Sequence, residues 1–134
     1  MHDLKISELI EMQNTLQNRM KENWLQIVPE NGHFKLLWMF EEMGEIVAIV
    51  KKRGYSAIMD DKIVRSAFVE ELSDVLMYFI DLITCYGVSA EELSEMFIAK
   101  HEKNMHRDFV AEHEKYLMEG SFDGKNGNRQ AYNS

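Results

Sequence analysis

Two pairs of acidic side chains, each pair set three residues apart in an apolar stretch, are where this sequence places its chemistry. Glu42 and Glu45 form one pair, and Glu71 and Asp74 form the other. On a helix, a spacing of three puts both members of a pair on one face. Between Phe34 and Val50 the only charged residues are Lys35, Glu41, Glu42 and Glu45; between Ala67 and Ile83 they are Glu70, Glu71, Asp74 and Asp81. Carboxylates gathered between apolar helices would repel one another and resist ionisation. A hard divalent cation removes that cost, and an all-oxygen ligand set selects Mg²⁺, Mn²⁺ or Ca²⁺ over zinc or copper. Mg²⁺ is the expected ion, with Mn²⁺ as its substitute, because Mg²⁺ is usually completed by waters and substrate phosphates. The pattern therefore points to a nucleotide site. Glu41 lies about 100° around the helix from Glu42 and is the candidate base or further ligand. The competing account is that carboxylates at this spacing are solvated surface charges, as most are.

The elements that must position these residues read as helices. Leu9, Met12, Leu16, Met20 and Trp24 recur at helical steps and predict helix 1 over 7–26. Pro29 to Gly32 is the first break. Helix 2 is expected from Phe34 to Arg53, with Lys51, Lys52 and Arg53 at its cation-favouring end and Gly54 as the stop. Tyr55 to Asp60 reads as a loop, and Asp60 or Asp61 as the cap of helix 3, which runs to Tyr86 before Gly87. Ser89 and Glu92 form a capping box for helix 4, expected to last until about Met118. The organisation is one all-α domain over 1–119 and a flexible polar tail over 120–134. Four helices with short connections predict a bundle. Helices 2 and 3 are too apolar for one small chain to cover, so a homo-oligomer, dimer or tetramer, is expected to complete it.

Charge and composition exclude several functions. Fifteen Lys and Arg against 23 Asp and Glu give −8, which disfavours nucleic acid as a partner. The single cysteine, Cys85, excludes an internal disulfide framework and a cysteine-based zinc site. The first residues lack the apolar stretch of a signal peptide, and no apolar run reaches the roughly 20 residues of a membrane span. The expectation is a soluble cytoplasmic protein with no membrane association. The histidines show no ligand spacing with the carboxylates, which leaves them as bystanders. Trp24, Phe34 and Trp38 are candidates for a wall on which a base would stack.

Glu41-Glu42-Met43-Gly44-Glu45 followed by Glu71-Leu72-Ser73-Asp74 resembles the E-E-x-x-E…E-x-x-D signature of the all-α nucleoside triphosphate pyrophosphohydrolases, the group of MazG-like proteins, dimeric dUTPases and dCTP pyrophosphatases. Further along, Lys100 to Arg107 is similar to their K-x-x-x-N-x-x-R element. The likeness covers roughly 30–110. It implies a four-helix MazG-like bundle, Glu42, Glu45, Glu71 and Asp74 as Mg²⁺ ligands, and a nucleoside triphosphate as substrate. Lys100 and Arg107 would hold phosphate oxygens and Asn104 the sugar or base, the three sharing one helix face. The segment Leu9 to Leu16 looks like the opening helix of dimeric dUTPases, which makes Gln13 the candidate reader of a uracil, with Trp38 counted in the substrate site as a stacking ring. The length is that of MazG-like proteins while the amino terminus points to dUTP, so the choice between dUTP and dCTP stays open. The expected reaction yields monophosphate and pyrophosphate, with Glu41, Glu42 and Glu45 handling the attacking water. Two rivals are a di-iron carboxylate bundle, disfavoured because the acidic pairs are Glu-x-x-Glu and Glu-x-x-Asp where such a bundle uses Glu-x-x-His from two helices, and a non-enzymatic helical module that binds metal or regulates by oligomerising.

Overall fold

A computed structural model describes residues 1–125, and these are helix and turn with no strand among them. Five helices follow in order: α1 (Ile6–Arg19), α2 (Gly32–Asp60), α3 (Lys62–Cys85), α4 (Ala90–Met105) and α5 (Phe109–Lys125), with one 3-10 turn at Pro29–Asn31. The chain divides into two compact units, Met1–Ser94 and Glu95–Ser134. No single helix among the described residues is long and apolar enough to cross a membrane.

The first unit is built on the α2–α3 hairpin, with α1 laid against α3 and the 3-10 turn touching both. Asp61 alone joins the two long helices, and its carboxylate accepts the backbone N–H groups of Ile63 and Val64 at 2.9 and 3.3 Å, capping α3. At the other end Gly87, with φ +68°, stops it. Ser89 Oγ accepts the N–H of Glu92 at 3.1 Å, the expected opening of α4. Ile46, Ile58, Val64, Ile80, Ile83 and Cys85 are the buried apolar residues.

Four boundaries differ from the sequence expectation. Helix 1 stops at Arg19 rather than near 26, because the N–H groups of Asn23 and Trp24 both bond the carbonyl of Met20 and close a turn. That turn carries Trp24 and Leu25 to the wall of a cavity. Tyr55 to Asp60, expected as loop, is helical, although Gly54 does interrupt α2 as a stop should, with φ 77° and ψ 167°. The predicted helix 4 is two helices. Asp108 Oδ1 accepts the N–H of Ala111 at 3.0 Å and caps a new start, which separates α4 from α5. Finally, α5 passes through Gly120 to Lys125, since one helical glycine costs only about 1 kcal/mol relative to alanine. The expected polar tail thus begins as helix, and its residues 126–134 lie outside the described ones.

Gly54 adopts a conformation open essentially to glycine alone. Gly54→Ala should therefore destabilise the protein by about 1–3 kcal/mol in urea titrations. Gly44, helical with open space around its Cβ direction, is the control: Gly44→Ala should stabilise by about 0.5–1 kcal/mol. Equal effects at the two positions would contradict the kink.

Candidate functional site

Seven-residue steps along both members of the hairpin build one face. Lys35 and Glu42 stand two turns apart on α2, and Asp74 and Asp81 two turns apart on α3. Across the hairpin Lys35 meets Asp81, Trp38 meets Tyr78, and Glu42 meets Asp74. As one number rises the other falls by the same step, which is the register of an antiparallel pair.

At the Glu42 end, Glu42, Glu71 and Asp74 each offer a carboxylate oxygen, all within 4.8 Å of one another and all half-buried. Glu42 is pushed up to about 7. The hydrogen bond its protonated form gives Glu71 is the largest cause, followed by burial and then by the charges of Glu71, Asp74 and Glu45. Glu71 Oε2 is buried with no hydrogen-bond partner among the described residues. As an all-oxygen set this close together, the three residues fit a hard cation. Glu45 is exposed and lies outside this three-oxygen cluster, one turn along α2. Glu41 is exposed beside it, close enough for its charge to raise the Tyr78 hydroxyl, which burial raises first and Glu42 second.

Without metal, the sign of the pH effect follows from Glu42. Its pKa rises on folding from 4.5 to about 7, so its contribution favours the folded state fully below pH 4.5 and is lost as pH climbs through 7. Metal-free thermal melts from pH 5 to 8 should show a falling Tm, and Glu42→Gln should flatten that slope. An unchanged slope in the variant would take the raised carboxyl away from Glu42.

The other end of the face is a buried polar network. Asp81 Oδ1 accepts Nε2 of Gln13 at 3.1 Å, and Asp81 Oδ2 accepts Nε2 of Gln17 at 3.0 Å. Lys35 Nζ sits 3.3 Å from Asp81 Oδ2. Lys35 and Asp81 are only 3% and 4% exposed. The same ammonium lies 5.2 and 5.9 Å from the ring centres of Trp38 and Tyr78, within cation–π range. A stack of His33, Phe34 and Trp38 supports the Trp38 ring from the side, at centroid distances of 4.1 and 5.8 Å.

Both ends open on one cavity of about 520 Å³. Glu42 and Asp74 stand at its acidic part, while Trp24, Trp38 and Tyr78 give it aromatic walls and Gln13, Gln17, Lys35 and Asp81 a polar one. Size and lining suit a flat polar ring against the aromatic walls, with positive charge beside the carboxylates. Compared with family models, curated proteins and solved structures, the chain finds no match in any of the three. The likeness to pyrophosphohydrolases rests on the residues quoted from the sequence.

Gln13 and Trp38 thus reach the same cavity as Glu42 and Asp74. Phe34 backs Trp38. Lys100, Asn104 and Arg107 belong to the second unit, and their expected common helix face is not formed. α4 ends at Met105, and Arg107 lies beyond it, bonding Glu112 through Nε at 3.0 Å and Asn104 Oδ1 through a terminal nitrogen at 3.4 Å. Asp108 ends the face by capping α5. Sequence reasoning missed Lys35, Gln17, Tyr78 and Asp81. The available signal was the seven-residue step from Lys35 to Glu42 and from Asp74 to Asp81, with Lys35 and Asp81 opposite in charge at the outer ends of the two steps.

Proposed function

We propose that the protein is a Mg²⁺-dependent nucleoside triphosphate pyrophosphohydrolase that converts a pyrimidine deoxynucleoside triphosphate, dUTP or dCTP, to the monophosphate and pyrophosphate. The observation that carries this reading is the placement of Glu42, Glu71 and Asp74 beside an aromatic-walled cavity with a hydrogen-bonding end. Glu42, Glu71 and Asp74 would hold Mg²⁺, with Glu45 one turn away as the fourth ligand that the resemblance implies. When bound, the ion supplies positive charge against the triphosphate and a lowered pKa for water. Glu41 and Glu45, both exposed next to the cluster, would orient and deprotonate the water that cleaves the α–β phosphoanhydride. Trp24, Trp38 and Tyr78 would hold the base by its faces. Lys100, Asn104 and Arg107 are the candidates for phosphate and sugar that the resemblance implies.

Self-association belongs to the same proposal. Leu37 and Phe40 on α2 are 56% and 63% exposed, and Val47, Val50, Leu72 and Leu76 are exposed with them. A second copy bringing the same face covers these residues by symmetry. A homodimer or homotetramer by light scattering is the expected result, and a monomer at micromolar concentration would refute it.

The deciding experiment is incubation with Mg²⁺ and a panel of deoxy- and ribonucleoside triphosphates, with monophosphate, diphosphate and pyrophosphate resolved. Monophosphate and pyrophosphate from a pyrimidine nucleotide support the reading. Absence of turnover in a folded protein that binds Mg²⁺ would favour the non-enzymatic module, for which the exposed apolar face is the supporting observation.

A further inference from the structure

Asp81 lies outside the three-carboxylate cluster, is buried, and holds three donors at once. A carboxylate can only accept hydrogen bonds, so the amide edge next to it must be the NH₂ edge. Both glutamines are thereby locked in one orientation, Gln13 on Oδ1 and Gln17 on Oδ2. Their carbonyl oxygens accept nothing from the described residues and are not sealed from solvent, and both side chains line the cavity. Oε1 of Gln13 is thus an uncommitted acceptor on a side chain that lines the cavity.

We infer that Asp81 is a positioning residue that sets base specificity: by pinning the Gln13 amide it presents a fixed acceptor to the cavity, selecting a pyrimidine that offers an N–H there. The inference rests on the nucleotide reading above. The uracil edge reads carbonyl, N–H, carbonyl, whereas the cytosine edge reads amino, bare nitrogen, carbonyl. At ring position 3, and again at position 4, the two bases differ in whether they donate or accept. A fixed acceptor therefore distinguishes them wherever along those two positions it makes contact, favouring uracil at position 3 and cytosine at position 4.

Asp81→Asn makes the direction of the test specific. Oδ2 is shared by Lys35 and Gln17, and Lys35 has only protons to give. The single carbonyl of an asparagine must therefore stay on that side, which turns its NH₂ toward Gln13. Gln13 then flips, giving its oxygen to residue 81 and its NH₂ to the cavity. The acceptor presented to the base becomes a donor.

The experiment measures kcat and KM for dUTP and dCTP on wild-type protein and on Asp81→Asn, with Mn²⁺ binding and binding of deoxyuridine and deoxycytidine measured in parallel. The expected result is a change of at least tenfold in the dUTP:dCTP ratio of kcat/KM toward the base that the wild type disfavours. It should be carried mainly by KM, with Mn²⁺ affinity unchanged. A merely structural role would lower both substrates together, and that outcome, or a ratio within twofold of wild type, overturns the inference. So does a wild type that fails to distinguish the two bases. Should Asp81→Asn fold poorly, the double variant Lys35→Met/Asp81→Leu removes both buried charges together and releases the amide. Its ratio should collapse toward one, and a wild-type ratio in it overturns the inference. Wild-type protein that neither cleaves the triphosphates nor binds the nucleosides overturns the nucleotide reading itself, a different failure from an unchanged ratio in an active enzyme.

Discussion

Glu71→Gln is expected to lower Mg²⁺-dependent hydrolysis by at least about a hundredfold, the loss typical of removing one strong electrostatic contact to a reacting centre, and to leave helix content unchanged by circular dichroism. Of the three clustered carboxylates, Glu71 has an oxygen that is both buried and unpartnered. It is also the largest cause of the raised Glu42 carboxyl. Gln keeps its shape, removes the charge and adds an N–H₂ that can bond Glu42. Metal-free protein at pH 8 should for that reason melt higher than wild type, because one member of a repelling set is gone, and added Mg²⁺ should raise the Tm of wild type but not of the variant. Opposite signs for metal-free stability and for activity separate a ligand from an ordinary packing residue. Glu45→Gln is the contrast. Glu45 is exposed and stands outside the oxygen cluster, so its loss should cost about tenfold, one catalytic interaction of moderate strength. A Glu71→Gln protein that keeps more than a tenth of wild-type turnover would remove Glu71 from the ligand set.

How much of this was legible in the sequence depended on whether a residue acts locally or across the hairpin. Asp61, Gly54, Gly87 and Ser89 act on their own neighbours, and each stops or starts a helix where its chemistry says it should. The end of α1 was misplaced because the apolar stripe through Met20 and Trp24 continues at helical spacing, while the backbone there turns to bring Trp24 to the cavity. Asp108 was overlooked as a cap because Lys100, Asn104 and Arg107 already read as one face, and a local carboxylate bond to Ala111 N–H outcompetes that periodicity. Within the site, the acidic pairs were visible as pairs, but their closest set combines one residue of the first pair with both of the second. The spacing of three is the same in both pairs, so which members meet is decided across the hairpin and not along either helix. Lys35 and Asp81 read singly as stray charges. Only the antiparallel register, set by the stretch from the Gly54 break to Asp61, shows that they meet.

That meeting has a large consequence for stability. Lys35→Met should destabilise the protein by about 3–5 kcal/mol, the usual cost of breaking a buried ion pair from one side, whereas Lys35→Met/Asp81→Leu should lie within about 2 kcal/mol of wild type because no charge is then left buried alone. The burial of both partners, at 3% and 4% exposure, decides between this and the small effect of a surface pair. With Lys35 gone, Asp81 keeps the amide donors of Gln13 and Gln17, but two neutral donors do not replace an ammonium beside a carboxylate only 4% exposed. The flat faces of Trp38 and Tyr78 add to the loss, since they stabilise a cation and do nothing comparable for a methionine. In the double variant the two amides lose their acceptor, a cost of about 1–3 kcal/mol for each polar group left unsatisfied in a closed site. They line an open cavity, so water can take the place of Asp81 and reduce that cost. Urea titrations of wild type, both single variants and the double variant close the cycle, and the coupling between positions 35 and 81 should exceed about 2 kcal/mol, beyond what independent sites show. A Lys35→Met protein within 1 kcal/mol of wild type would mean that water reaches the pair. The polar end of the cavity would then be wet and adaptable, and no fixed amide could select a base there.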